Sequence, residues 1–334
     1  MASTIAEQVG VDQVTPGKDE YASASLPIRM GNTAPIAYGG SAISVAVHAA
    51  AKTVPVTHKV YSVVGHFHGP ASLDRKFKCT VTRTRDTRTF ATRRVSVTQL
   101  QRQRDGSEHE RTCMELIADF HASEAEETLM AFSAPPLRRG GYAPPHDSPS
   151  RQTLWDELVR AGRMDPKLSG AFEALFGAQE RFFELRICRA GMSGQNLAVA
   201  KHVPTDQDAL PITARTSAEW YRVREGQSLR DHGERSAAVT FLMDGGLPFL
   251  PLVHDHLSFD DAGAASSLDF ALRFFVPDVD LGGWHLRERV AHAAGAGRSY
   301  CEGRLFDEQG RLVASMTQQG ILRPPPKKKP RPAL

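Results

Sequence analysis

Only four cysteines occur in 334 residues, and Cys79, Cys113, Cys188 and Cys301 lie too far apart for a CxxC or Cys/His cluster. That spacing excludes a disulfide framework and the usual zinc sites, and it suits a reducing compartment. Excess charge of one sign is equally scarce. The net charge is +3, and the tail Pro324–Pro332, PPPKKKPRP, holds four positive charges by itself, so the body is near neutral and nucleic-acid binding is not expected. The opening residues MASTIAEQVGVDQ carry early acids and lack the apolar core of a signal peptide, which argues against secretion. A membrane span is also not expected. The 22 residues from Met30 to Ala51 contain no Asp, Glu, Lys or Arg, yet Asn32, Pro35, Gly39, Gly40, Ser41, Ser44 and His48 interrupt them. They read as a buried helix of a soluble protein.

What is present is the balance of a globular chain long enough for two domains, 41% apolar and 24% charged. The run YGGSAISVAVHAAAKTVP from Tyr38 is apolar around its whole circumference, the pattern of a helix covered on all sides, and it stops near Val54-Pro55. Four segments with period-two patterning follow: KVYSVVGHFHG, KFKCTVTRTR, RTFATRRVSVTQ and RTCMELIADF, with a turn at Arg104-Asp105-Gly106. Five prolines between Ser133 and Ser150 mark a linker, and Thr153 to Arg181 reads as an amphipathic helix with Leu154, Leu158, Leu175 and Phe176 apolar.

The second half repeats the first. Strand-like FFELRICR and ARTSAEWYRVRE lead to SAAVTFLMDGGLPFLPLV, Ser236–Val253, then to SSLDFALRFF, GWHLRERVAHAA, GRSYCEGRLF and RLVASMTQQGILR. Gly39-Gly40 matches Gly245-Gly246, Phe67 matches Phe274, Pro70 matches Pro277 and Gly106 matches Gly310, at offsets of 204 to 207 residues. Each half then has one helix too apolar for a surface and a set of antiparallel strands needing a covered face. The economical packing is a sheet curled round its own helix, with the two sheets joined, an α+β architecture. The expected divisions are a flexible N-terminus at 1–20, a first unit at 21–132, linker and connecting helix at 133–181, a second unit at 182–323 and a disordered basic tail at 324–334.

Within Ser236–Val253 the single formal charge is Asp244. Burying a lone carboxylate costs several kcal/mol, on the order of the penalty for an unpaired ion, so this acid needs partners or a purpose. Together with YGGSAISVAVHAA, MDGGLP and the closing GRLVASMTQQGILR, it gives the chain its resemblance to type II acyl-CoA thioesterases and the wider thioesterase-like group, over about residues 20–324. The resemblance implies a double hotdog fold and hydrolysis of an acyl-CoA thioester, coenzyme A entering only as part of the substrate and no cofactor being needed. It assigns the water-holding acid, hydroxyl and amide to Asp244, Ser267 and Gln318, and substrate contacts to Gly39, Gly40, Ser41 and Phe270. Departures accompany it. Ser267 replaces a Thr, Phe270 stands where bacterial members usually carry His, Ser41 where they often carry Gln, and Gly245-Gly246 follows the acid in place of better helix formers. An apolar setting and a helix end at Gly245 would both raise the pKa of Asp244.

Other readings stay open beside this one: a thioesterase-like enzyme of a biosynthetic pathway acting on a polyketide-type acyl intermediate, and a non-catalytic acyl-binding hotdog protein. The expected partner is a small-molecule acyl thioester, and a homo-oligomer is compatible with the sequence. His66 and His68, and His254 and His256, share strand spacing but lack a third ligand, so no metal is expected. His48 reads as a core residue or pocket lining. Arg83, Arg85, Arg88, Arg93 and Arg94 could meet coenzyme A phosphates or form a solvated sheet edge. The tail resembles a basic import segment, its end Pro332-Ala333-Leu334 is unlike a peroxisomal signal, and an intracellular location, cytoplasmic or peroxisomal, is expected.

Overall fold

Alternating apolar side chains require extended segments with one covered face, and the strands lie where that alternation runs. The computed structural model describes residues 2–31, 34–102, 105–122, 129–138, 140–198, 201 and 203–326. The first half contains α1 (Ile5–Val9), β1 (Val11–Gln13), β2 (Glu20–Ser23), α2 (Gly39–Ala51), β3 (His58–Phe67), β4 (Lys78–Asp86), β5 (Phe90–Arg102) and β6 (Glu108–Ala122). After α3 (Arg151–Arg160) and α4 (Ser169–Glu180), the second half has β7 (Phe183–Ile187), α5 (Met192–Asn196), β8 (Thr216–Val223), α6 (His232–Met243) and α7 (Leu250–His254). It closes with β9 (Ala264–Phe274), β10 (His285–Gly295), β11 (Arg298–Asp307) and β12 (Leu312–Arg323).

These strands form one sheet in the order β1-β2-β4-β5-β6-β3-β9-β12-β11-β10-β8-β7. Outward from the β3–β9 seam, the first half runs β3, β6, β5, β4, β2, β1 and the second β9, β12, β11, β10, β8, β7, the same order twice. The seam is antiparallel and sets Gly65 opposite Phe270. A Cβ at Gly65 would lie 2.6 Å from Phe270 Cζ and 2.7 Å from Glu115 O, so the seam closes only over a bare backbone. The architecture is a double hotdog.

Side chains from Gly40 to Ala50 are buried without a gap, because α2 is covered both by its sheet and by α6. The two helices run antiparallel. Gly233 at the start of α6 sits beside His48 and Ala51, while Asp244 at its end sits beside Gly39 at the start of α2. His48 is a core residue whose Nδ1 lies 2.8 Å from Val9 O. The apolar stretch His232–His254 has the length of a bilayer span, but 89% of its most apolar window is buried inside the fold.

Three expectations need correcting. The N-terminus is not flexible throughout: Thr4 caps α1 in a capping box with Glu7, and Ile5 and Val9 are fully buried, so polar residues between them hid an amphipathic turn. Ile5→Ala is expected to cost about 2–4 kcal/mol, seen as a lower urea midpoint at unchanged m value. The helix read across Thr153–Arg181 is two helices, parted where Gly162 takes φ +66° and Pro166 opens a new turn. Between β7 and β8, where the sequence reading placed no element, lie α5 and a 3₁₀ turn at Ile212–Ala214. The glycine pairs are not equivalent, since Gly39-Gly40 opens α2 whereas Gly245-Gly246 follows the end of α6. The linker itself is irregular, and its Leu137 N–H and Tyr142 hydroxyl donate to the Glu288 carboxylate on β10. Arg104, the Leu175 side chain and the tail from Lys327 lie outside the described residues.

Candidate active site

Asp244 caps the end of α6, and two residues later Gly246 at φ +78° turns the chain away. Asp244 is 4% exposed. Oδ1 accepts from Gln318 Nε2 at 2.5 Å, and the carboxylate also accepts from the Gly40 N–H in the first turn of α2. Tyr38, the N-cap residue of α2, provides no side-chain cap, so Asp244 reaches across from the other unit to meet one of that helix's free donors. The approach depends on glycine. A Cβ on Gly39 would stand 3.0 Å from Asp244 Oδ2 and 2.9 Å from Phe67 Cζ.

Burial pushes the Asp244 pKa up to about 6, while the Gln318 bond, the Gly40 N–H and the Arg287 guanidinium pull it down. The upward direction matches the sequence reading, but one contribution was absent from that reading. The α2 N-terminus faces the carboxylate with its positive dipole end and offsets part of the desolvation.

Gln318 on β12 pairs with Phe270 on β9, and beyond it Gly320 pairs with Ser267. Ser267 and Phe270 are three positions apart, which strict alternation would place on opposite faces. A bulge at Leu268 restores the phase, so Ser267 Oγ donates to Gln318 Oε1 at 3.2 Å. The amide of Gln318 therefore joins hydroxyl to acid in one chain, Ser267 to Gln318 to Asp244. Asp244, Ser267 and Gly39 line a cavity of about 560 Å³ whose apolar side includes Phe67 and Phe249. That size suits a small-molecule site.

Residues 26–121 match the acyl-CoA thioesterase N-terminal domain, and residues 177–322 match the acyl-CoA thioesterase C-terminal domain. The chain belongs to the acyl-CoA thioesterase family. It is 22% identical over 292 residues to acyl-CoA thioesterase 2 of Haemophilus influenzae, covering 86% of this chain and 87% of that one. Among solved structures, an acyl-CoA thioesterase II from Mycobacterium marinum superposes with a TM-score of 0.64 at 22% identity, over 97% of this chain and 100% of the other. A protein of unknown function with a hot dog fold from Alicyclobacillus acidocaldarius gives 0.63 at 14% identity, over 96% and 98%.

In this member of the thioesterase family the remaining sequence candidates fall in different places. Gly40 bonds the acid from behind the cavity wall. Ser41 is 1% exposed with its Oγ unpaired among the described residues, and Phe270 packs on Phe67 with ring centroids 5.7 Å apart; neither lines the cavity. The arginine cluster does not line it either. Arg83 pairs with Asp19, Arg94 with Glu115, and buried Arg93 with Asp86 and Thr53. His66 and His68 are exposed, His254 lies 3.0 Å from Ser217 Oγ, and His256 lies 2.7 Å from Asp208. Sequence reasoning missed Tyr38, whose hydroxyl donates to Phe241 O at 2.7 Å, and the charged wall of Glu219, Arg287 and Arg289. The signal available was LRERV, a strand with charge on consecutive positions and therefore on both faces.

Proposed function

We propose that the protein hydrolyses an acyl-CoA thioester, with Asp244 and Ser267 holding the attacking water and Gln318, behind them, fixing both side chains. The observation that carries this reading is the bonded chain from Ser267 through Gln318 to a buried carboxylate of raised pKa at the cavity wall. Water attacks the thioester carbon while Asp244 takes its proton. With its hydrogen committed to Gln318, Ser267 Oγ still has lone pairs to accept the water's other hydrogen. The Gly40 N–H serves Asp244, which leaves the Gly39 N–H, in the first turn of α2, as the donor to the developing oxyanion. Collapse of the tetrahedral intermediate breaks the carbon–sulfur bond, and the proton held by Asp244 passes to the coenzyme A thiolate.

Release of free thiol from acyl-CoAs of graded chain length tests the reading. Ser267→Ala should lower kcat about tenfold, the scale of one neutral hydrogen bond, with the pH dependence kept. Tight binding of every ester without thiol release would sink the hydrolytic reading and leave an acyl-binding protein.

A further inference from the structure

One wall of the cavity carries charge for which a hydrocarbon acyl chain has no use. Arg287 and Arg289 on β10 and Glu219 and Tyr221 on β8 line it, and the ladder sets Arg287 opposite Glu219. Arg287 is 1% exposed. Its Nη2 donates to Met243 O and Gly245 O, the carbonyls flanking Asp244, but its buried Nε has no partner among the described residues. Arg289 pairs with Glu219, whose Oε1 also accepts from Ser193 Oγ at 2.7 Å. Arg289 Nε and Glu219 Oε2 are likewise buried and unpartnered among the described residues. Three orphan polar atoms thus lie along one strand pair that ends beside the acid. Groups so buried demand hydrogen bonds, and methylene groups supply none.

We infer that the acyl group of the substrate carries oxygen away from its thioester, as hydroxyl, oxo or carboxyl, and that Arg287 and Arg289 donate to it. The inference rests on the thioesterase reading of the site and narrows its substrate class. Because Arg287 holds the carbonyls on both sides of Asp244, the oxygen it meets lies within a few bonds of the reacting carbon. The Arg289–Glu219 pair serves oxygen further along the chain.

Dodecanoyl-, 3-hydroxydodecanoyl- and dodecanedioyl-CoA, equal in length, separate these cases. At least one oxygenated ester should exceed dodecanoyl-CoA about tenfold in kcat/KM, the scale of one hydrogen bond to a charged group. The hydroxy ester leading assigns the oxygen near the thioester, and the dicarboxylic ester leading assigns it at the far end. Arg289→Met combined with Glu219→Gln should bring the dicarboxylic-to-dodecanoyl ratio toward one, whatever happens to the absolute rates. Should no ester be hydrolysed, the hydrolytic reading fails separately, and calorimetric binding of the three esters to Asp244→Asn still decides the preference. Dodecanoyl-CoA being used or bound as well as both oxygenated esters would overturn the inference.

Discussion

Asp244→Asn lowers kcat about a hundred- to ten-thousandfold, the range expected when a positioned general base is removed, with a much smaller change in KM. Asparagine preserves volume and still offers Gln318 an acceptor, so the loss isolates proton removal from packing. In the wild type, rate should climb as pH rises through about 6, where Asp244 ionises. The same residue sets a stability signature. Its folded pKa of about 6 exceeds the ordinary 3.8, so the folded state holds that proton more tightly than the unfolded chain. The ionised carboxylate therefore weakens the fold above pH 6 by about 3 kcal/mol, taking 1.36 per unit, and the penalty disappears as pH falls below 4. Asparagine never ionises, so the variant-minus-wild-type melting difference should be largest at neutral pH and shrink toward pH 4. A variant that keeps its kcat would remove Asp244 from the chemistry.

How much of this was legible in the chain follows from what each signal measures. The α2 helix announced itself because apolar residues around its full circumference have no other home, and the long strands did so through alternation. Asp244 stood out as one charge in eighteen residues. The features that were missed depend on contacts distant in sequence. Nothing local to Gly39-Gly40 says that its helix begins against the end of another, so equal spacing paired it with Gly245-Gly246 at the wrong end of α6. The bulge at Leu268 leaves no composition signature, yet it decides that Ser267 and not Ser266 shares the face of Gln318. Arg287-Glu288-Arg289 read as an ordinary charged strand. Only the fold shows β10 sandwiched, with Glu288 bonded to Arg304 on one face and the two arginines on the cavity side.

Gln318→Leu should cost about a hundredfold in kcat at pH 7, because the amide both fixes the hydroxyl and keeps the acid ionisable. Gln318 is 1% exposed, and its donor to Oδ1 is the first of the interactions that lower the Asp244 pKa. Leucine fills a similar volume but donates nothing, so Asp244 keeps its burial and loses the strongest counterweight. Its pKa must then rise further. The pH–rate profile should move to the alkaline side, and part of the lost rate should return at pH 9; a purely structural role for Gln318 would lower the rate without moving the profile. Gln318→Glu is the informative contrast. Two carboxyls at the 2.5 Å spacing of the present bond cannot both ionise near neutrality and would share one proton. In that state the new carboxyl can donate to Asp244 while its other oxygen still accepts from Ser267. More activity should therefore survive near pH 6 in the Glu variant than in the Leu variant, and the Glu variant should lose that advantage as the shared proton leaves at higher pH. Equal rates and superimposable profiles for the two variants would show that Gln318 acts only by filling space.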